Sequence, residues 1–203
     1  MQTLLNIRTS LFGATGQSSL LAQHFIADWV ARDPDGRVVT RDLAAQPVPH
    51  LTAASFQAFA TKPGERTAEQ QAAVAYSDML IEELKSADTV VLSVPMYNFS
   101  VPSTLRAYFD HIARAGVTFS YTSAGPEGLL KGKQAYVFIT RGGVYAEAVD
   151  TQTPYLRQFL GFVGINAQFI HAEGLAMGDA TRDRSLAAAS DTIARLPNFA
   201  AAA

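Results

Sequence analysis

Three stretches of this sequence gather side chains that could meet a ligand. The first, residues 9–19, offers the hydroxyls of Ser10, Thr15, Ser18 and Ser19, the Gln17 amide, and glycines at 13 and 16. Hydroxyls and free backbone N–H groups at a helix start form a neutral cradle for a phosphate. The same residues could equally be a plain polar loop capped by Ser18 or Ser19. No Gly-Lys-Ser/Thr or G-x-G-x-x-G pattern occurs there, so a mononucleotide phosphate without a tightly bound metal suits it better than a P-loop or dinucleotide site. The second stretch sets Met96, Tyr97, Asn98 and Phe99 between Pro95 and Pro102. Aromatics and a methionine at a strand exit suit a flat apolar ring, with the Asn98 carboxamide on its polar edge, or else a loop folded into the core. The third reads Thr140-Arg141-Gly142-Gly143-Val144-Tyr145. Paired glycines allow close backbone approach, and N–H groups or one cation there would stabilise a ring that gains negative charge on reduction. The alternative is a simple turn.

Each stretch follows an apolar run. Residues 3–7, 37–40, 89–94, 134–140 and 167–172 read as strands. The 89–94 run (TVVLSV) is nearly continuous in its apolar, β-branched residues rather than alternating, the mark of a central parallel strand covered on both faces. Between the strands lie helical patterns. Leu21, Phe25 and Trp29 recur at four-residue spacing. Thr67 and Gln70 make a capping box for a helix to about Ser86, with Val74, Ile81 and Leu84 inward. Pro102-Ser103 opens a helix with Leu105, Phe109 and Ile112 inward and Arg106, Asp110 and Arg114 outward. Further helices fall at about 154–163 and 182–196, before an Ala-rich tail expected to fray. Residues 42–66, with Pro47, Pro49 and Pro63, read as a surface excursion with a short helix near 53–60, either a lid or a long connection. Residues 117–121 read as extended, and 125–128 as a turn. Strands alternating with helices give an α/β fold, an open five-stranded parallel sheet with helices on both faces. Ligands then sit beyond the carboxyl ends of the strands, where all three stretches lie.

Composition narrows the chemistry. The chain has 203 residues, 48% of them hydrophobic, and reads as one domain over 1–203. Sixteen Lys and Arg against eighteen Asp and Glu give a charge of -2, too little basic field for a nucleic-acid or anionic-membrane partner. Without any cysteine, redox chemistry has to come from a cofactor. His24, His50, His111 and His171 lack metal-ligand spacing and read as surface or capping residues, so no metal site is expected. With no signal-like start and no apolar run near the ~18 residues that span a bilayer, a cytoplasmic protein is expected.

Taken in order, Ser10 with Gln17-Ser18, then PMYNF at 95–99, RAGVTF at 114–119 with Gly128-Leu129, and Arg141-Gly142-Gly143 resemble the FMN-dependent NADH azoreductases over nearly the whole chain. The resemblance implies a flavodoxin-like homodimer with two FMN at its interface, working by a ping-pong mechanism in which NADH reduces FMN and an azo compound or quinone then takes NADH's place. Carried onto this sequence, Ser10, Gly16, Gln17 and Ser18 would hold the phosphate. Pro95, Met96, Tyr97, Asn98 and Phe99 would line the ring and ribityl chain. Thr140, Arg141, Gly142, Gly143 and Tyr145 would border the opposite edge. Phe119, Tyr121 and Phe162 would shape the substrate side, some from the neighbouring subunit. The chain departs from the family pattern at Gly16 and Thr140, where serine is frequent. The chemistry would reside on FMN, with NADH or NADPH as donor and no catalytic side chain. An azo bond needs four electrons to become two amines, hence two cycles. The rivals are a quinone reductase with incidental azo activity, a flavodoxin-type electron carrier, which the small net charge disfavours, and a regulatory protein that kept the fold and lost the flavin.

Overall fold

The computed structural model describes residues 1–196, and the expected fraying of the Ala-rich tail falls outside them. In chain order the main elements are β1 Thr3–Arg8, α1 Gln17–Arg32, β2 Arg37–Asp42, α2 Ala53–Ala60, α3 Ala68–Ser86, β3 Thr89–Pro95, α4 Ser103–Ile112, β4 Phe119–Thr122, β5 Gly125–Gly128, β6 Gln134–Thr140, α5 Gln152–Val163, β7 Asn166–Ala172 and α6 Asp179–Ala194. Five strands pair in parallel in the order β2-β1-β3-β6-β7. The chain order reverses between β1 and β3, which puts the loops after those strands at the switch point. Every residue of β3 is buried, as its nearly continuous apolar run leads one to expect, the hydroxyl-bearing Thr89 and Ser93 included.

Two cores form because successive strand residues point to opposite faces. Leu4 of β1 joins Leu21, Phe25 and Trp29 of α1 and Ile193 of α6 on one face. Leu5 joins Leu80 and Leu84 of α3, Phe109 of α4 and Leu156 of α5 on the other. Burying each such side chain contributes ~1.5–3 kcal/mol. The capping boxes at Thr52 and Thr67 start α2 and α3.

Three local expectations are corrected. Residues 125–128 form a strand, β5, paired antiparallel with β4. A Cβ at Gly128 would lie 2.1 Å from the Gly164 nitrogen, so this glycine serves close packing on the end of α5. Arg114 points inward rather than outward, because it follows the last turn of α4 and its guanidinium reaches the Ser77 hydroxyl and Asp78 carboxylate of α3. His111 is buried, with Nε2 3.0 Å from the Pro49 carbonyl and the Phe59 ring edge-on to it. Burial pushes its imidazole pKa down. These contacts hold the 42–66 excursion, with Leu43 and Val48 in the core, against α3 and α4.

Candidate functional site

The first loop leaves β1 at Thr9, whose hydroxyl donates to the Ser93 carbonyl at 2.6 Å and so anchors the loop to β3. The Ser10 carbonyl accepts from Gly13, which stands in the left-handed region at φ 54°, and the Ser10 hydroxyl accepts from the Phe12 N–H. Gly16 is the N-cap of α1, and a Cβ there would come within 2.1 Å of Ser10 Oγ. The Ser10 hydroxyl therefore fills the space that a serine at position 16 would occupy. The first intrahelical bond runs from Leu20 N–H to the Gly16 carbonyl, and the N–H groups of the preceding turn have no carbonyl of their own helix to meet. That turn carries no acidic residue. The Ser18 and Ser19 hydroxyls beside it are buried without a protein partner among the described residues. A buried hydroxyl left unpaired costs ~1–3 kcal/mol, and an anion at the helix start would satisfy it together with the N–H groups. The residues present fit a phosphate.

The second loop turns back on itself at once. Tyr97 and Ser100 exchange backbone bonds of 3.0 and 3.1 Å around Asn98 at φ 49° and Phe99 at φ 63°. Asparagine tolerates the left-handed region, whereas a phenylalanine there costs roughly 1–2 kcal/mol. The strain presents the Phe99 ring to solvent, edge-on to Tyr145 with centroids 6.2 Å apart. Tyr97 OH accepts from the Leu11 N–H at 3.1 Å, tying the second loop to the first. The Met96 N–H donates to the Thr140 carbonyl at 2.8 Å, tying it to the third. Leu11, Met96, Tyr97, Asn98 and Thr104 line a cleft of about 580 Å³ that the first and second loops share with the start of α4, and the Thr104 hydroxyl is buried without a partner among the described residues.

The third loop departs from expectation at Arg141. Its guanidinium is buried and engaged through four of its five N–H groups: it donates to Glu173 at 2.8 Å, to Asp150 at 2.8 Å, to the Thr153 hydroxyl at 2.8 Å and to the Gln152 carboxamide at 3.2 Å. It is no free cation for a reduced ring, since two carboxylates outweigh its single charge. Burial alone would raise the Asp150 carboxyl, but hydrogen bonds from Thr153 and Arg141 overcome it and hold the pKa at about 2. The glycines fare differently. Neither Gly142 nor Gly143 has positive φ, and a Cβ at either would find its nearest neighbour at 3.4 Å. The backbone conformation does not require glycine at these positions, which weakens the turn reading. Their carbonyls accept from Ala176 and Gly174, so the loop is pinned from behind.

Phe119, Tyr121 and Phe162 come together, with Phe119 4.4 Å from Phe162 and 5.6 Å from Tyr121 between ring centroids. They do not come to the three loops of the same chain. Phe162 lies at the far end of α5 from Gln152, about 15 Å along a helix rising 1.5 Å per residue. Asp150, Gln152, Thr153 and Glu173 were missed at the sequence level. Only Asp150 carried a local signal, an Asx residue before a helix, and it does accept from the N–H groups of Gln152 and Thr153.

The family model for the flavodoxin-like fold matches residues 2–196. An FMN-dependent NADH:quinone oxidoreductase of Cellvibrio japonicus is 54% identical over 195 residues, 95% of this chain and 97% of that protein. One from Burkholderia lata is 50% identical, covering 96% of this chain and 99% of its own. Among solved structures, an azoreductase from Bacillus anthracis superposes with a TM-score of 0.88 at 29% identity, over 97% of this chain and 98% of that one. A Bacillus anthracis FMN-dependent NADH-azoreductase in complex with FMN gives 0.85 at 27%, over 98% and 100%. With half its residues or more shared along nearly its whole length, this chain belongs to the flavodoxin-like family that holds the FMN-dependent NADH:quinone oxidoreductases.

Proposed function

We propose that this chain is an FMN-dependent NADH:quinone oxidoreductase that also reduces azo compounds, acting as a homodimer. The observation that carries the reading is the convergence of three loops distant in sequence. The bonds Leu11 N–H to Tyr97 OH and Met96 N–H to the Thr140 carbonyl join them beside a helix start where the buried Ser18 hydroxyl has no partner among the described residues. The chemistry that bound FMN supplies is two-electron transfer from NADH to a quinone, or in two rounds to an azo bond that leaves as two amines, donor and acceptor using one place alternately.

Ser10, Gln17 and Ser18 hold the phosphate with hydroxyls and an amide, and Gly16 with its backbone. Pro95, Met96, Tyr97, Asn98 and Phe99 cover one side of the ring. Thr140, Gly142, Gly143 and Tyr145 border the opposite edge, where Arg141 contributes only its backbone. Asp150 and Glu173 are engaged by Arg141, so the protons consumed come from water. Leu11, Phe12, Phe99 and Val144 stand exposed around the loops, an apolar rim that a second copy covers while bringing its own Phe119, Tyr121 and Phe162 to the acceptor's side.

The test is the visible spectrum of the purified protein supplied with FMN, before and after NADH. A yellow protein bleached by NADH and restored by benzoquinone fits; a colourless protein that takes up no FMN rejects the reading, and a flavin that stays yellow with NADH makes it a carrier. The ratio of kcat/KM for benzoquinone and methyl red orders the two acceptors, and sedimentation velocity checks the dimer.

A further inference from the structure

Four consecutive residues, 150–153, engage two of the loops at once. The Gln152 carboxamide is fully buried. Its oxygen accepts from Arg141 Nε at 3.2 Å, and its nitrogen donates to the carbonyls of Pro95 at 3.1 Å and Val94 at 3.4 Å. Pro95 and Thr140 are paired at the last register position of β3 and β6, so this one side chain spans the exits of both strands. The Thr151 hydroxyl donates to the Phe99 carbonyl. Asp150 and Thr153 hold the Arg141 guanidinium, which lies 5.7 Å from the centre of the Tyr145 ring, itself edge-on to Phe99. The strained turn at Asn98 and Phe99 persists only where its surroundings over-determine it, and residues 150–153 supply that support from one rigid helix start.

We propose that Thr151 and Gln152 are positioning residues for the flavin site, tying the 96–99 turn, which lines the cleft with Leu11 and Thr104, to the exits of β3 and β6 so that this wall is in place before the cofactor arrives. The inference rests on the reading of that cleft as an FMN site. Preorganisation shows in affinity, because a loop that must be ordered on binding takes its ordering cost from the binding energy.

The experiment is titration of FMN into apoprotein, read by quenching of flavin fluorescence and by the visible absorption band, alongside thermal unfolding of the apoprotein. Thr151→Val removes only an exposed hydroxyl and should weaken FMN about fivefold, with apoprotein Tm changed by less than about 2 °C, while Thr151→Ser restores wild-type affinity. Gln152→Met keeps the volume, frees both strand exits and should weaken FMN about tenfold or more, with a shifted absorption band. Should Gln152→Met fail to fold, the threonine pair still decides. Wild-type affinity in Thr151→Val overturns the inference and leaves the FMN reading intact; failure of the wild-type protein to bind FMN overturns both.

Discussion

Replacing Ser18 by alanine separates a ligand-directed hydroxyl from a structural one, because the two roles predict opposite signs. The Ser18 side chain is fully buried at the start of α1 and its Oγ has no protein partner among the described residues. Deleting it removes an unpaired polar group from the interior, and the methyl remains to fill the space. The apoprotein should be unchanged or gain up to ~1 kcal/mol, a rise of up to about 3 °C in Tm for a chain of this size. The holoprotein behaves in reverse. A hydrogen bond to a charged acceptor contributes about 1.5–3 kcal/mol, so the FMN dissociation constant should rise roughly 10- to 150-fold. Both quantities come from one preparation, by differential scanning calorimetry of apoprotein and by flavin fluorescence titration. Loss of a kilocalorie or more of apoprotein stability with unchanged FMN affinity would refute the reasoning, since it would mean that Ser18 serves the fold and that the phosphate binds elsewhere.

Three further outcomes follow from the geometry. Gly128→Ala drives a Cβ into the Gly164 backbone and should cost about 2–3 kcal/mol, some 5–10 °C in Tm, while FMN affinity holds. Asp150 is depressed to about 2 from an ordinary value of 3.8, so its contribution is present above pH 4 and is lost as pH falls through about 2. After discounting for residual solvent, wild-type protein should lose about 1–2 kcal/mol of unfolding free energy over that window, measured by urea denaturation; Asp150→Asn should be less stable at neutral pH and lack that loss. Phe99→Gly relieves the left-handed strain and should raise apoprotein stability by roughly 1 kcal/mol while weakening FMN, seen by the same two titrations.

The architecture was legible because its signals are local. The nearly continuous apolar run at 89–94 marked a covered central strand, and β3 is buried throughout; the Thr67 capping box fixed the start of α3. Turn chemistry at 125–128 misled at one end: Gly125, at φ 118°, does sit at the reversal between β4 and β5, whereas Gly128 reflects packing against Gly164, which is remote in sequence.

By itself, then, the amino-acid sequence determined the order and type of the elements and the three stretches at strand ends, because periodicity, caps and turn residues act within a few positions. Tertiary structure alone decided how charges and orphans are distributed among them. Arg141 looked like a cation offered to a ring, yet Asp150 and Glu173 meet it from segments 9 and 32 residues away. Ser18 looked like one hydroxyl among several, yet it is a buried one that no other part of the described chain satisfies. Desolvation and partner geometry are properties of what the fold brings into contact, and no short-range pattern encodes them.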